Sequence, residues 1–287
     1  MSRIAYVNGR YVAQRDACVN IEDRGYQFAD GVYEVVYLRA RRFVDEDLHL
    51  ARLARSLREI AMPMPMGEPA LRRVLQEVAS RNRLRDGLLY LQVTRGVAPR
   101  GHAFPVQAPK PAVVVTIRRV AAFPRDVAQW AGTAITQPDE RWARCDIKST
   151  GLLPNVLAKE AARRQGAYEA ILVNAAGEVT EGASSTFWIV DERGALRTRH
   201  LDHAILPGCT RIALLALAGE FGIATDEGGF SAEEMRRAQE AFVTSATGFV
   251  KPITAIDGTP VGDGAVGPVT RRLFDLFAQH VNGNANA

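Results

Sequence analysis

Lysine is scarce in this chain. Of its 36 basic residues only Lys110, Lys148, Lys159 and Lys251 are lysines. Ordinary charge is left to arginine, whose guanidinium stays protonated and cannot do amine chemistry. Cysteine is sparse too. Cys18, Cys145 and Cys209 are odd in number, far apart and without a C-x-x-C pair, which argues against a disulfide framework or a thiolate zinc site. The five histidines include no H-E-x-x-H, and no metal site is expected. No apolar run approaches the ~20 residues of a membrane span, and the N-terminus carries no apolar signal region. A cytoplasmic protein that does not enter membranes is the expectation. Basic residues form no block, and a net charge of +4 is mild, so nucleic acid is not an expected partner. G-x-G-x-x-G, a Walker loop and G-x-S-x-G are all missing. Their absence argues against dinucleotide enzymes, nucleotide hydrolases and α/β-hydrolases.

What is present reads as an ordinary globular protein. The 287 residues are 47% hydrophobic and 24% charged, enough for one large or two medium domains with a substantial core. Asn8-Gly9 between short apolar segments marks a hairpin. Residues Val32 to Arg39 alternate, with Val32, Glu34, Val36 and Leu38 on one face and Tyr33, Val35 and Tyr37 on the other. Leu50, Leu53, Leu57 and Ile60 recur as a helical stripe. A second amphipathic helix is expected from about Glu68 to Arg83. Strands follow at Leu88 to Thr94 and Ala112 to Val120. Beyond Pro124 the pattern mixes strands near Thr133, Glu169, Ser185, Glu240 and Val250 with helices near Pro154, after Gly208 and from Val269. The mixture argues for an α/β (α+β) fold rather than an alternating βαβ sheet. The expected division is an N-terminal α/β domain over 1–120, a linker over 121–132 and a C-terminal domain over 133–287.

Four segments can carry chemistry. In Arg144-Cys145-Asp146-Ile147-Lys148-Ser149 an isolated lysine precedes a Ser-Thr-Gly turn, a setting suited to a Schiff base with a carbonyl cofactor. Such an amine must spend time neutral, which burial or a nearby cation favours. Glu181 enters an apolar strand beside small residues, where a carboxylate can face a ring nitrogen. The helix after Leu206-Pro207-Gly208 begins with Cys209 and Thr210, leaving its first amides for phosphate. A second cluster of hydroxyls and amides is Val243-Thr244-Ser245-Ala246-Thr247-Gly248. Arg100-Gly101-His102 couples a bidentate anion binder with an imidazole. Each segment alone also fits a bland reading: a solvated loop lysine, a strand-edge glutamate, an ordinary helix start, a loop histidine.

Together the segments resemble the class IV aminotransferases, the pyridoxal-phosphate enzymes of fold type IV, nearest to their D-amino acid aminotransferase branch. The matching motifs are Glu22-Asp23-Arg24-Gly25-Tyr26-Gln27-Phe28, Asp30-Gly31-Val32-Tyr33-Glu34, the Arg52 helix and Thr94-Arg95-Gly96-x-x-Pro99-Arg100-x-His102. They continue with the Lys148 hexapeptide, Thr180-Glu181-Gly182 and Gly208-x-Thr210-Arg211. The resemblance implies two domains with the active site at their interface, a homodimer, and pyridoxal 5'-phosphate held by Lys148. Glu181 would pair with the pyridine nitrogen. Arg52, Cys209, Thr210, Ser245 and Ala246 would hold the phosphate, and Leu206 would pack on the ring. Tyr33, Arg100 and His102 would grip the substrate α-carboxylate, with Tyr90 nearby and the Arg100 loop supplied by the other subunit. The implied reaction moves an amino group from a D-amino acid to a 2-oxo acid. Branched-chain or (R)-amine transaminases and aminodeoxychorismate lyases are the alternatives on the same scaffold. Ala246 departs from the hydroxyl-rich version of its motif, leaving a backbone amide for the phosphate.

Overall fold

The computed structural model describes residues 3–120 and 124–283. The chain divides into two compact units. One comprises Met1–Ala122 with Ile147–Gly151, the other Phe123–Asp146 with Leu152–Ala287. The expected linker starts in residues 121–123, which lie outside the described residues.

The first unit contains β1 (Ile4–Val7), β2 (Arg10–Ala13), α1 (Arg24–Phe28), β3 (Gly31–Arg39), β4 (Arg42–Phe43), α2 (Glu46–Glu59), α3 (Glu68–Arg81), β5 (Gly87–Thr94) and β6 (Ala112–Arg118). Its six strands are ordered β2-β1-β6-β5-β3-β4, and every pairing is antiparallel. Asn8 and Gly9 turn the first hairpin with positive φ at both residues, as a tight hairpin requires. The alternation read from β3 holds: Val32, Glu34, Val36 and Leu38 are buried. The three apolar residues meet Leu50, Leu53 and Leu57 of α2 and Leu71, Leu75 and Val78 of α3 in one core. Ile60 falls just past the end of α2 and is only partly buried. The strand expected over Ala112 to Val120 is shorter than the pattern suggested, ending at Arg118.

The second unit contains α4 (Val127–Trp130), β7 (Gly132–Pro138), α5 (Leu153–Arg164), β8 (Glu169–Val173), β9 (Val179–Gly182), β10 (Thr186–Val190), β11 (Leu196–Arg197), α6 (Cys209–Glu220), β12 (Thr225–Asp226), α7 (Ala232–Arg236), β13 (Glu240–Ser245), β14 (Phe249–Ile256), β15 (Thr259–Pro260) and α8 (Pro268–Asn282). Its sheet is mixed, in the order β12-β11-β10-β13-β14-β7-β8-β9, with β15 on β14. The parallel pair β7 and β8 is joined through α5, a βαβ crossover. Ala158 and Ala162 of α5 pack on Ile135, Ala170 and Leu172; small residues let the helix lie close to the sheet. α8 has an apolar stripe at Leu273, Phe274 and Phe277, all buried. The fold is α/β of the α+β kind, with one antiparallel and one mixed sheet.

Candidate active site

In the first unit, Tyr33 stands on the face of β3 opposite the helices. Its ring stacks on Tyr90 of β5, with centroids 5.6 Å apart and planes at 29°, a same-face diagonal pair across the strands. The Tyr90 hydroxyl donates to Gln92 Oε1 at 2.6 Å. Burial, reinforced by Tyr33, pushes the Tyr90 phenol up to about 12. The segment carrying Lys148 runs beside the start of β3. Tyr33 N–H donates to Lys148 O at 3.0 Å, and Thr150 N–H donates to Gly31 O at 3.0 Å. Lys148 N–H donates to Ser56 Oγ on α2 at 3.3 Å. The lysine backbone is thus tied to both strand and helix. Its Nζ lies 4.4 Å from the Tyr33 ring centroid, a cation–π contact. Arg144, four residues earlier in the chain, pairs with Asp146 at 3.0 Å.

Arg52 is directed at a group that sequence reasoning did not connect with it. Its Nε and Nη2 donate to Glu34 Oε1 and Oε2, both at 2.8 Å. His49 Nδ1 is 2.7 Å from Glu34 Oε2. These residues are buried on α2 and β3. Burial pushes the Glu34 carboxyl up, but the Arg52 charge and hydrogen bonds, with help from His49, outweigh it and hold it at about 2. Arg100 and His102 lie elsewhere in this unit. The Arg100 guanidinium carbon is 4.6 Å from the Phe28 ring centroid, and the His102 and Phe28 rings are 5.5 Å apart. Both residues are exposed.

In the second unit, Glu181 on β9 is buried. Its Oε1 accepts a short hydrogen bond from Arg141 Nη1, and Leu206 N–H is 3.3 Å from both carboxylate oxygens. Arg141 is fixed in turn by Asp139 (2.8 Å), Ala204 O (2.9 Å) and Thr180 Oγ1 (3.3 Å). The buried guanidinium supplies this carboxylate with a counter-charge, an arrangement suited to facing a protonated ring nitrogen. Sequence reasoning missed Arg141; its position after Pro138-Asp139 carries no spacing signal toward residue 181.

Cys209 and Thr210 open α6 and are buried. Gly208 precedes them, and no side chain caps the helix. A Cβ on Gly208 would lie 2.9 Å from Thr186 Oγ1, so this close approach needs glycine. Thr186 pairs with Thr244 on β13. The start of α6 and the turn Ser245–Gly248 therefore sit at the same end of two neighbouring strands. In that turn Gly248 N–H donates to Ser245 Oγ at 2.9 Å, and Ser245 Oγ is 3.2 Å from Thr247 Oγ1. Helix-end amides and hydroxyls gathered at one end of the sheet fit a phosphate.

The same turn rests on a cation cage. Trp130 Nε1–H donates to Gly248 O at 3.0 Å. Lys251 Nζ lies 3.8 Å from the Trp130 ring centroid and 4.2 Å from that of Tyr168. Burial, with the Lys159 charge adding to it, lowers the Lys251 amine from 10.5 to about 8. An amine depressed in the folded state costs stability while it is forced to stay charged. That cost is full below about pH 8 and fades as pH rises toward the unfolded value near 10.5. Compared with Lys251→Met, the wild-type chain is expected to gain about 2–3 kcal/mol between about pH 7.5 and pH 10.5. Urea unfolding of both proteins at the two pH values checks this. A stability difference that ignores pH contradicts it.

The chain resembles known proteins along most of its length. The family model for amino-transferase class IV matches residues 31–256. The chain is 42% identical to a D-alanine aminotransferase of Listeria monocytogenes serotype 1/2a (strain 10403S), over 96% of this chain and 95% of that protein. It is 41% identical to a D-alanine aminotransferase of Bacillus licheniformis, over 93% of each. Among solved structures, the branched-chain amino acid aminotransferase from Escherichia coli has a TM-score of 0.88 at 25% identity. That match covers 100% of this chain and 96% of the other. In sequence and in fold, the chain belongs to the class IV aminotransferases.

Proposed function

We infer that this chain is a D-amino acid transaminase that uses pyridoxal 5'-phosphate. The observation that carries the reading is the Lys148 amine over the Tyr33 ring, itself stacked on Tyr90. It is supported by 42% identity to a D-alanine aminotransferase along 96% of the chain. When bound, the cofactor supplies an electron sink that lets the substrate Cα–H bond ionise. The protein does the rest. Lys148 would hold the cofactor through Nζ and, once substrate displaces it, would carry the proton to and from Cα. Glu181, paired with Arg141, would face the ring nitrogen. Leu206 would pack on the ring. The amides of Cys209 and Thr210, the Ser245–Ala246 turn and Arg52 would hold the phosphate, with Glu34 fixing the Arg52 fork. Tyr33, Tyr90, Arg100 and His102 bind the α-carboxylate, the last two presented to the partner subunit of a homodimer. Orienting the carboxylate and Cα–H decides which enantiomer reacts.

The working division of labour is an N-terminal domain over 1–120 bearing the carboxylate groups and a C-terminal domain over 133–287 bearing most cofactor contacts. The substrates are a D-amino acid of the D-alanine or D-glutamate type and a 2-oxo acid. No helix among the described residues is long and apolar enough to cross a membrane, and a cytoplasmic location is proposed. Paired assays test the reading. D-alanine alone is expected to bleach the visible band of the loaded protein, and with 2-oxoglutarate as acceptor it is expected to be turned over and the band restored. Equal or faster turnover of L-leucine would instead support a branched-chain enzyme. Pyruvate release from aminodeoxychorismate without an acceptor would support a lyase.

A further inference from the structure

The motif Glu22–Phe28 is part of the family resemblance read from the sequence, yet none of its residues enters the chemistry above. Its location in the first unit gives it a task. Asp23 caps α1 by accepting from Gly25 N–H at 2.8 Å, and it accepts from Thr94 Oγ1 at 2.9 Å. Arg24 N–H donates to Gly96 O at 2.9 Å. The motif is therefore docked on the exit of β5, where the loop bearing Arg100 and His102 begins. That loop is pinched at its base, because Gly96 (φ +97°) leaves room for Lys110 O where a Cβ would be 2.2 Å away.

The Arg24 side chain is buried but spends only one donor on a carboxylate. Nε donates to Asp30 Oδ2 at 2.8 Å, while Nη1 donates to Gly101 O at 2.6 Å and Nη2 to His102 O at 3.3 Å. Asp30 Oδ2 also accepts from Arg95 Nε at 2.8 Å. Arg95 is anchored on Ile60 O (2.7 Å) and Ala61 O (3.2 Å) beyond α2. Its guanidinium carbon lies 3.7 Å from the Phe104 ring centroid. One carboxylate thus bridges two buried arginines, and each arginine grips the loop at a different point. Burial raises the Asp30 carboxyl, but hydrogen bonds from Arg95 and Arg24 outweigh it and hold it below the usual range. Phe28, one helical turn on, receives Arg24 on its ring at 4.9 Å and Arg100 at 4.6 Å.

We propose that Arg24, Asp30 and Arg95 form a clamp that sets the backbone of Arg100–His102 before substrate arrives, making Arg24 and Asp30 positioning residues for recognition of the α-carboxylate. The proposal rests on the reading of Arg100 and His102 as carboxylate ligands. A preordered loop spares the substrate the entropy of fixing it. Losing the clamp should therefore weaken carboxylate binding more than the chemical step.

The test uses the full-length, cofactor-loaded protein. Arg24→Gln removes the charged fork; Arg24→Lys keeps a cation for Asp30 but cannot reach both carbonyls. Limited trypsin digestion reads cleavage after Arg100, and kinetics read KM and kcat for D-alanine and 2-oxoglutarate. Both variants are expected to be cut faster after Arg100 and to show KM raised about tenfold with kcat nearly unchanged. The Arg24→Gln effect should be the larger. A folded Arg24→Gln protein with wild-type cleavage and KM overturns the proposal. So does a parallel fall of kcat and melting temperature with no change in KM. Should Arg24→Gln not fold, Phe104→Ala removes an exposed ring from the Arg95 contact, and unaltered cleavage of that variant overturns it as well. A wild-type protein that leaves D-alanine untouched would refute the functional reading, while the trypsin arm still judges the clamp.

Discussion

Lys148→Ala is expected to lower transamination of D-alanine by about 10³-fold or more and to abolish covalent attachment of the cofactor. No other lysine among the described residues stands ready to replace it. Lys159 is held by Glu169 at 3.0 Å. Lys251 is enclosed by Trp130 and Tyr168 and donates to Trp130 O at 2.5 Å. Lys110 is exposed on the loop after Pro109. Lys148→Arg is the informative companion. It restores a cation beside Tyr33 yet has no amine that can form a carbon–nitrogen double bond, so it should be as inactive as the alanine variant. Borohydride reduction of the loaded wild-type protein followed by peptide mapping should tag the peptide containing residue 148. A tag on another amine, or an undiminished rate in Lys148→Arg, would remove the basis of the mechanism.

Glu34→Gln is expected to cost about 3–5 kcal/mol at pH 7, because it leaves the Arg52 guanidinium buried without its counter-ion. The pH dependence identifies the cause. A carboxyl held at about 2 in the folded protein contributes stability that is present above its unfolded value. That contribution is lost as pH falls through the folded one. The gap between wild type and Glu34→Gln should therefore be widest near neutrality and close as acid approaches about pH 2. Urea unfolding at about pH 7 and pH 3 measures it. A gap under about 1 kcal/mol at pH 7 would mean that the pair only breaks even against its desolvation. Because Glu34 orients the Arg52 fork, cofactor affinity should fall in the same variant. Cofactor binding unaffected by the substitution would separate Arg52 from the phosphate.

Much of the fold was legible because its signals are local. The β3 alternation, the leucine stripe of α2 and the Asn8-Gly9 turn each lie within a few residues, where periodicity and turn chemistry act. The alternation even put Glu34 on the apolar face, and a carboxylate there demands a partner. The partners, His49 and Arg52, sit on the α2 surface beside the leucines, and no spacing within that helix singled them out. α1, α4 and α7 have four or five residues each, too few for a periodic signal. Strands of two residues such as β11 and β15 exist only through their neighbours.

The candidate site divides in the same way. Residue type made Lys148 and Glu181 candidates, a lone amine in an arginine-rich chain and a carboxylate entering an apolar strand, but only the several motifs in order, through the resemblance they carry, gave them their roles. Sequence thus determined which chemical groups this protein has and which lie on buried faces, because both follow from side-chain type and local period. Only the tertiary structure decided that Arg141 holds Glu181, that Glu34 claims Arg52 and that Asp30 bridges two arginines to the Arg100 loop. Those pairings are chosen by distance and desolvation across the fold, and nothing in the order of residues along the chain encodes them directly.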